Sequence, residues 1–460
     1  METLGLLLFK GAAFLVALGV LVVIHEYGHY WVARRCNVKV LRFSVGFGKP
    51  LKTWVRGADQ TEWVIAAVPL GGYVKMLDER EAPVAETELP RAFNRQNVWK
   101  RFAIVLAGPV ANLLLAIGLY WVLFLHGVPG MRPVVGAPVA DSASARAGFA
   151  AGDTLSKIDG VPVSTWQDAR WLLLKHAVRK GTVAVEVMTD NDQTITRSLD
   201  MSALTAADLD GDFLQTLGVT RFLIKSPPEI GRLTSGGSAE RAGLKAGDEI
   251  VALNNARIES VEQVIKLIQQ HAGEPLIAEI RRDGKLLPPL QITPDTVTEG
   301  DGRKIGRIGA TLQPPRSASD KYRVVVRYGL LDGLGQAIAK TWDTSMFSLK
   351  MLGKMLVGDV SLKNLSGPIT IADYAGQSAQ HGWIAYLVFL ALISISLGVL
   401  NLLPIPLLDG GHLMYYIVEI FKGSPVSEKF MEIGQRVGVG VLLLMMAFAL
   451  FNDVNRLISG

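Results

Sequence analysis

Residues 22–30 read "VVIHEYGHY", with His25 and His29 four apart and Glu26 beside the first histidine. On a helix, residues four apart share a face, so both imidazoles can address one divalent metal while Glu26 projects to a neighbouring angle. That is the pattern of hydrolytic zinc chemistry. Zn2+ lowers the pKa of a water toward ~7, and a glutamate at that angle can take its proton. A catalytic zinc wants three protein ligands and one open position, so two histidines leave a ligand to be found elsewhere. The stretch "LGVLNLLPIPLLDGGH", residues 397–412, offers two candidates, Asp409 and His412. Pro404 and Pro406 break helical structure there, leaving an irregular backbone able to turn a side chain inward. Asn401 sits inside the same apolar run, where an amide either faces a cavity and binds something or bonds a neighbouring helix.

The elements that must position these groups are membrane spans. Charged residues make up 19% and hydrophobic ones 49% of the 460 residues, and mean hydropathy is +0.29. Soluble domains usually carry ~25% charged residues. Four apolar runs reach the ~20 residues that cross a bilayer: one from Leu4 to Ile24 interrupted only by Lys10, then residues 102–125, 382–408 and 433–451. An ionisable cluster inside such a run is costly and points to function. Arg34, Arg35, Lys39, Arg42, Lys100, Arg101, Lys422 and Lys429 gather between spans one and two and between spans three and four, which predicts that those segments face the cytoplasm. Both termini and the long region between spans two and three then lie on the outer, periplasmic side. The net charge of +5 includes no basic block, so no nucleic-acid partner is expected. The single cysteine, Cys36, excludes an internal disulfide and a Cys-based metal site.

The outer region contains a duplication. "RAGFAAGD" (146–153) returns as "RAGLKAGD" (241–248), each followed by a helix-like stretch. Duplicated units of this size are domains rather than solenoid repeats. The A-G-x-x-A-G-D turn resembles PDZ domains of the permuted bacterial type, folds that capture extended peptide ends by strand addition. Residues 331–356 carry apolar positions at helical spacing (Leu331, Leu334, Ile338, Trp342, Met346, Leu349, Leu356), predicting an amphipathic helix that packs on the outer repeats or lies in the membrane interface, with packing the first expectation. Residues 38–74 alternate as strands around a turn at Gly57.

The expected fold is thus a multi-pass α-helical membrane protein with four transmembrane helices, a membrane-associated β-hairpin region and two periplasmic PDZ-like α+β domains. The boundaries are 1–33 (span one), 34–97 (β-hairpin region), 98–126 (span two), 127–221 and 222–315 (PDZ-like domains), 316–381 (amphipathic helix and connector), 382–412 (span three), 413–432 (cytoplasmic loop) and 433–460 (span four).

Together with H-E-x-x-H, the stretches "FSVGFGKPL", "PLGGYVKM", "LAGPVAN", "LSGPIT" and N-x-x-P-x-P-x-L-D-G resemble the site-2 protease family of intramembrane zinc metalloproteases, peptidase family M50, over nearly the whole chain. The resemblance implies that His25, His29 and Asp409 ligate zinc, that Glu26 is the general base and that Asn401 holds substrate backbone. It also implies substrates that are single-span membrane proteins of the anti-sigma-factor type, cut to release a stress sigma factor, and remnant signal peptides. A helical substrate hides its peptide bonds and must unwind before attack. An exposed strand edge in 38–74 could pair with the extended chain, with Gly46, Gly48, Gly71 and Gly72 allowing close backbone approach.

Overall fold

A computed structural model describes residues 2–205, 208–209, 212–222, 225–298, 303–358, 360–361 and 366–459. Leu365, which opens "LSGPIT", lies outside the described residues. The chain divides into two units, one of the residues up to Val128 together with Val326–Asn455, the other of Pro129–Val325.

The first unit contains α1 (Glu2–Arg35), β1 (Val40–Arg56), β2 (Thr61–Met76), α2 (Val98–His126), α3 (Leu330–Leu356), α4 (Pro368–Gln380), α5 (Trp383–Asn401), α6 (Asp409–Lys422) and α7 (Glu428–Ser459). Four of these, α1, α2, α5 and α7, are long and apolar enough to cross a membrane. Small residues let them approach closely, as helix packing in lipid requires. A side chain at Gly28 of α1 would run into the Ala107 carbonyl of α2, and one at Gly398 of α5 would meet Leu113 and the Pro109 carbonyl at 3.1 Å. One core joins Ala116, Tyr120 and Leu123 of α2 to Ala391, Ile395 and Val399 of α5, and a second joins Ala17 and Leu21 of α1 to Phe389 and Leu390 of α5. Lys10, the one charge in the first apolar run, pairs with Asp373 of α4. Asp453 of α7 is 1% exposed and caps the start of α4, accepting from the backbone N–H groups of Gly367, Ile369 and Thr370 and from the Thr370 hydroxyl.

Three expectations change. The third apolar run is not one helix to residue 412. It stops at Asn401, and α6 begins at Asp409, because Pro404 and Pro406 cannot continue the hydrogen-bond ladder. The expected loop 413–432 is helical through Lys422, ending at Gly423 in the left-handed conformation that terminates helices. On α3 the apolar stripe faces outward: Leu331, Ile338 and Trp342 are exposed, while Ala337, Thr341, Thr344 and Ser345 are buried. The inward face is made of small residues, which let helices approach closely.

β1 and β2 fold back on themselves. Arg42–Val45 is paired on both sides, with Glu62–Ile65 in register rising together and with Gly72–Lys75 in opposite sense, while 52–56 pairs with 61–65 as the outer hairpin. The segment from Gly72 to Met76 therefore forms one edge of the sheet.

In the second unit the duplication is structural as well as sequential. A short helix (Ala143–Arg146, then Ser238–Arg241) leads to glycines with positive φ (Gly148 and Gly152, then Gly243 and Gly247). Asp153 accepts from the Ala150 N–H and pairs with Arg197 at 3.1 Å. Asp248 accepts from the Lys245 N–H and pairs with Arg282 at 2.6 Å. Each copy has its own core, around Leu155, Leu173 and Val185 in the first and Ile250, Val264 and Ile280 in the second. Burial works to raise the Asp248 carboxyl, but the Arg282 guanidinium and the Lys245 amide outweigh it and hold it below its ordinary 3.8. A depressed folded-state pKa stabilises above the unfolded value and is lost as pH falls through the folded value. The melting temperature of the second copy is therefore expected to fall as pH drops below 3.8, and Asp248→Asn to flatten that dependence, as thermal melts of the full chain across pH would show.

Candidate metal centre

α1 carries His25, Glu26 and His29 on adjoining faces of its last three turns. The first residue of α6, Asp409, meets them. His25 Nε2 stands 3.2 Å and His29 Nε2 3.5 Å from Asp409 Oδ2, and the two Nε2 atoms are 3.2 Å apart. All three donors lie within 4.8 Å of one another. Donors ~2.0–2.1 Å from a tetrahedral zinc stand about 3.3–3.4 Å apart, so the spacing suits one ion. The donor set of two imidazoles and a carboxylate is that of a hydrolytic zinc site, and Asp409 Oδ2 is buried with no hydrogen-bond donor satisfying it. Such an atom is costly unless a ligand completes it. These residues fit zinc. His412 stands one turn further along α6 and is outside the cluster.

The local sequence explains why Asp409 reaches inward. The 402–406 loop folds onto the first turn of α6. A side chain at Gly411 would meet the Ile405 carbonyl at 2.6 Å and Pro406 Cα at 2.7 Å, so the glycines after Asp409 make the tight return possible. Asp409 in the first turn also complements the positive end of the helix dipole.

α2 supplies a second layer that the motif reading did not assign. His29 Nδ1 lies 2.8 Å from the Ile104 carbonyl, so it carries the proton and leaves Nε2 free. Asn112, fully buried, places its amide 3.3 Å from His25 Nδ1. Its Oδ1 has no partner. Turning the amide, an assignment that heavy-atom positions alone do not fix, satisfies Oδ1 with the Nδ1–H of His25 and frees His25 Nε2 as well. Gly108 lies between these two, with both imidazoles packed on its Cα: a Cβ there would overlap His29 Nε2 and come within 2.8 Å of His25 Cε1. Residues 104, 108 and 112 recur every four positions on one stripe of α2, and that spacing within and before "LAGPVAN" is the signal that could have found them. Removing the Asn112 partner by Asn112→Ala is expected to weaken zinc affinity about 10–100-fold, measurable by competition with a chelator.

Glu26 is next to the cluster and against the sheet edge. Gly72 makes the room for it: a Cβ would meet Glu26 Cγ at 3.2 Å, Val22 Cγ1 at 2.9 Å and the Ser44 carbonyl at 2.7 Å. Gly46 and Gly71 are likewise closed by this chain's own atoms, the Val68 carbonyl and the Phe47 ring, while Gly48 has only Val68 Cγ2 near, at 3.8 Å. Asn401 is the last residue of α5, half-buried, at the mouth of the loop leading to Asp409.

The family model for peptidase family M50 matches residues 13–445. The chain is 42% identical to the regulator of sigma-E protease RseP of Salmonella typhimurium, over 98% of this chain and 99% of that protein. It is 43% identical to RseP of Escherichia coli K12, over 97% and 98%. A Neisseria meningitidis protein, provisionally named a zinc metalloprotease, is 44% identical over 97% and 99%. With His25 and His29 in a helix that can span a bilayer, Asp409 meeting them and a second layer on α2, this chain belongs to peptidase family M50 and is a zinc metalloprotease.

Proposed function

We propose that this protease cuts peptide bonds within the transmembrane segments of single-span membrane proteins, with anti-sigma factors in a sigma-E type envelope stress response as its main substrates and remnant signal peptides as others. The observation that carries the reading is the convergence of His25 and His29, inside the first apolar helix, with Asp409 at a break in the third apolar run. In this reading His25, His29 and Asp409 hold the zinc, which when bound supplies Lewis-acid chemistry to the scissile carbonyl. Glu26 takes the proton of the attacking water and returns it to the leaving amine. Gly72, with no side chain, leaves Glu26 room against the sheet edge beside the centre.

The edge from Gly72 to Met76 beside Glu26 supports substrate capture by strand addition, which would present an unwound segment to the centre. Asn401 anchors substrate backbone, and Gly48, with Gly46, Gly71 and Gly72 shaping the strands around it, admits the incoming chain. The basic residues at the ends of α1 and α2 support a cytoplasmic position for this end of the site. The termini and the duplicated, PDZ-like region are then periplasmic in the inner membrane. The two copies there would screen the outer parts of substrates.

The test uses the full chain in detergent with a tagged single-span substrate. Glu26→Gln is expected to keep its zinc while cleavage within the span falls about 10²–10⁴-fold. Equal cleavage by both proteins defeats the reading and leaves a membrane scaffold that recruits peptides through its PDZ-like pair.

A further inference from the structure

Beside the metal centre, α1 and α2 enclose a groove of about 470 Å³ lined by Ile24, Trp31, Ala103, Ala107, Val110 and Leu114 among other apolar residues. Both helices are of membrane-spanning length, so the groove opens toward acyl chains. Its character changes at one end. There the Arg35 guanidinium lies 4.8 Å over the Trp31 ring. Lys100 of α2 reaches the end of α1 and donates to the Cys36 carbonyl at 3.3 Å. Trp99, 62% exposed, stands beside it. The neighbouring cations are neutralised: Arg34 faces Asp59 and Arg101 pairs with Glu419 at 2.6 Å. Arg35 and Lys100 have no carboxylate within ion-pair distance among the described residues. The first turn of α2, a 29-residue helix, adds its positive end to the same rim.

We propose that this groove binds one acidic glycerophospholipid of the surrounding bilayer, an acyl chain lying along Val110, Ala107 and Ala103 and the phosphate seated between Arg35 and Lys100. Tryptophans at the headgroup level and unpaired cations just above an apolar slot are what such a lipid matches. A second copy of the chain fits less well. All copies insert the same way, so pairing through this face would set Arg35 and Lys100 against their own counterparts at the same depth, and like charges repel.

The test reconstitutes the full chain in nanodiscs of phosphatidylcholine containing a minor share of phosphatidylglycerol, then counts retained lipids by native mass spectrometry. Wild type is expected to retain one phosphatidylglycerol with roughly tenfold preference over phosphatidylcholine, two surface cations sufficing for that factor. Arg35→Gln with Lys100→Gln should erase the preference. Ala103→Phe, which fills the slot and leaves both cations, should eject the lipid. Glycerol phosphate added to the detergent-solubilised protein should not compete, because it lacks the chain. Equal retention of the two lipids by wild type, retention unchanged in both variants, competition by glycerol phosphate alone, or a dimer that Ala103→Phe dissolves would each overturn the proposal. Zinc content, equal across the variants, confirms that each remains folded.

Discussion

A methyl group at Gly108 is expected to empty the metal centre. The Gly108→Ala side chain would stand 2.3 Å from His29 Nε2 and crowd His25 Cε1 at 2.8 Å. Neither imidazole can yield easily. His29 is tied to the Ile104 carbonyl and His25 to Asn112 on the same helix that carries the new methyl. Moving α2 away instead would open its contact with α1 at Gly28, where the helices already touch through backbone. The outcome is zinc loss on purification and a fall in cleavage of at least about a hundredfold, the cost of misplacing a catalytic group by ~1 Å. Zinc stoichiometry and cleavage of a single-span substrate would be measured on the same preparation. A Gly108→Ala protein with full zinc and full activity would mean that the second layer on α2 is not positioned as described.

The second large effect separates Asp409 from His412. Asp409→Ala removes the one carboxylate in the cluster and leaves two imidazoles, too few to hold a catalytic zinc. Losing a mere outer-layer partner costs 10–100-fold in metal affinity, so this loss should exceed about a hundredfold and abolish cleavage. His412→Ala should keep its zinc, since the ring lies outside the cluster. Should His412→Ala shed the metal and Asp409→Ala retain it, the ligand assignment would be reversed.

These predictions draw on different levels of the molecule. Glu26, His25 and His29 were legible because a helix converts a four-residue spacing into a shared face, a purely local consequence of backbone geometry. The membrane character of the helices was legible for a similar reason, since length and apolarity are properties of a segment by itself. Gly108, Ile104 and Asn112 were not read. Their side chains, or lack of one, have no chemistry that announces a role. Each matters only through what α2 lies against. For the stripe on α3 packing was expected ahead of an interfacial position, and the structure leaves it exposed, because periodicity reports an amphipathic helix without saying what its apolar face meets.

The sequence by itself determined the H-E-x-x-H face, the four apolar runs, the duplicated turn and the narrowing of the third candidate ligand to Asp409 or His412. The tertiary structure alone brought Asp409 onto the histidines, some 380 residues away along the chain, and left His412 outside. It did so through a proline-broken loop folded onto two glycines, a close approach no local rule encodes. It alone put the edge from Gly72 to Met76 beside Glu26, because sheet order and strand register depend on pairing between distant segments. Spacing along a chain fixes which groups share a face; which faces meet is decided by packing.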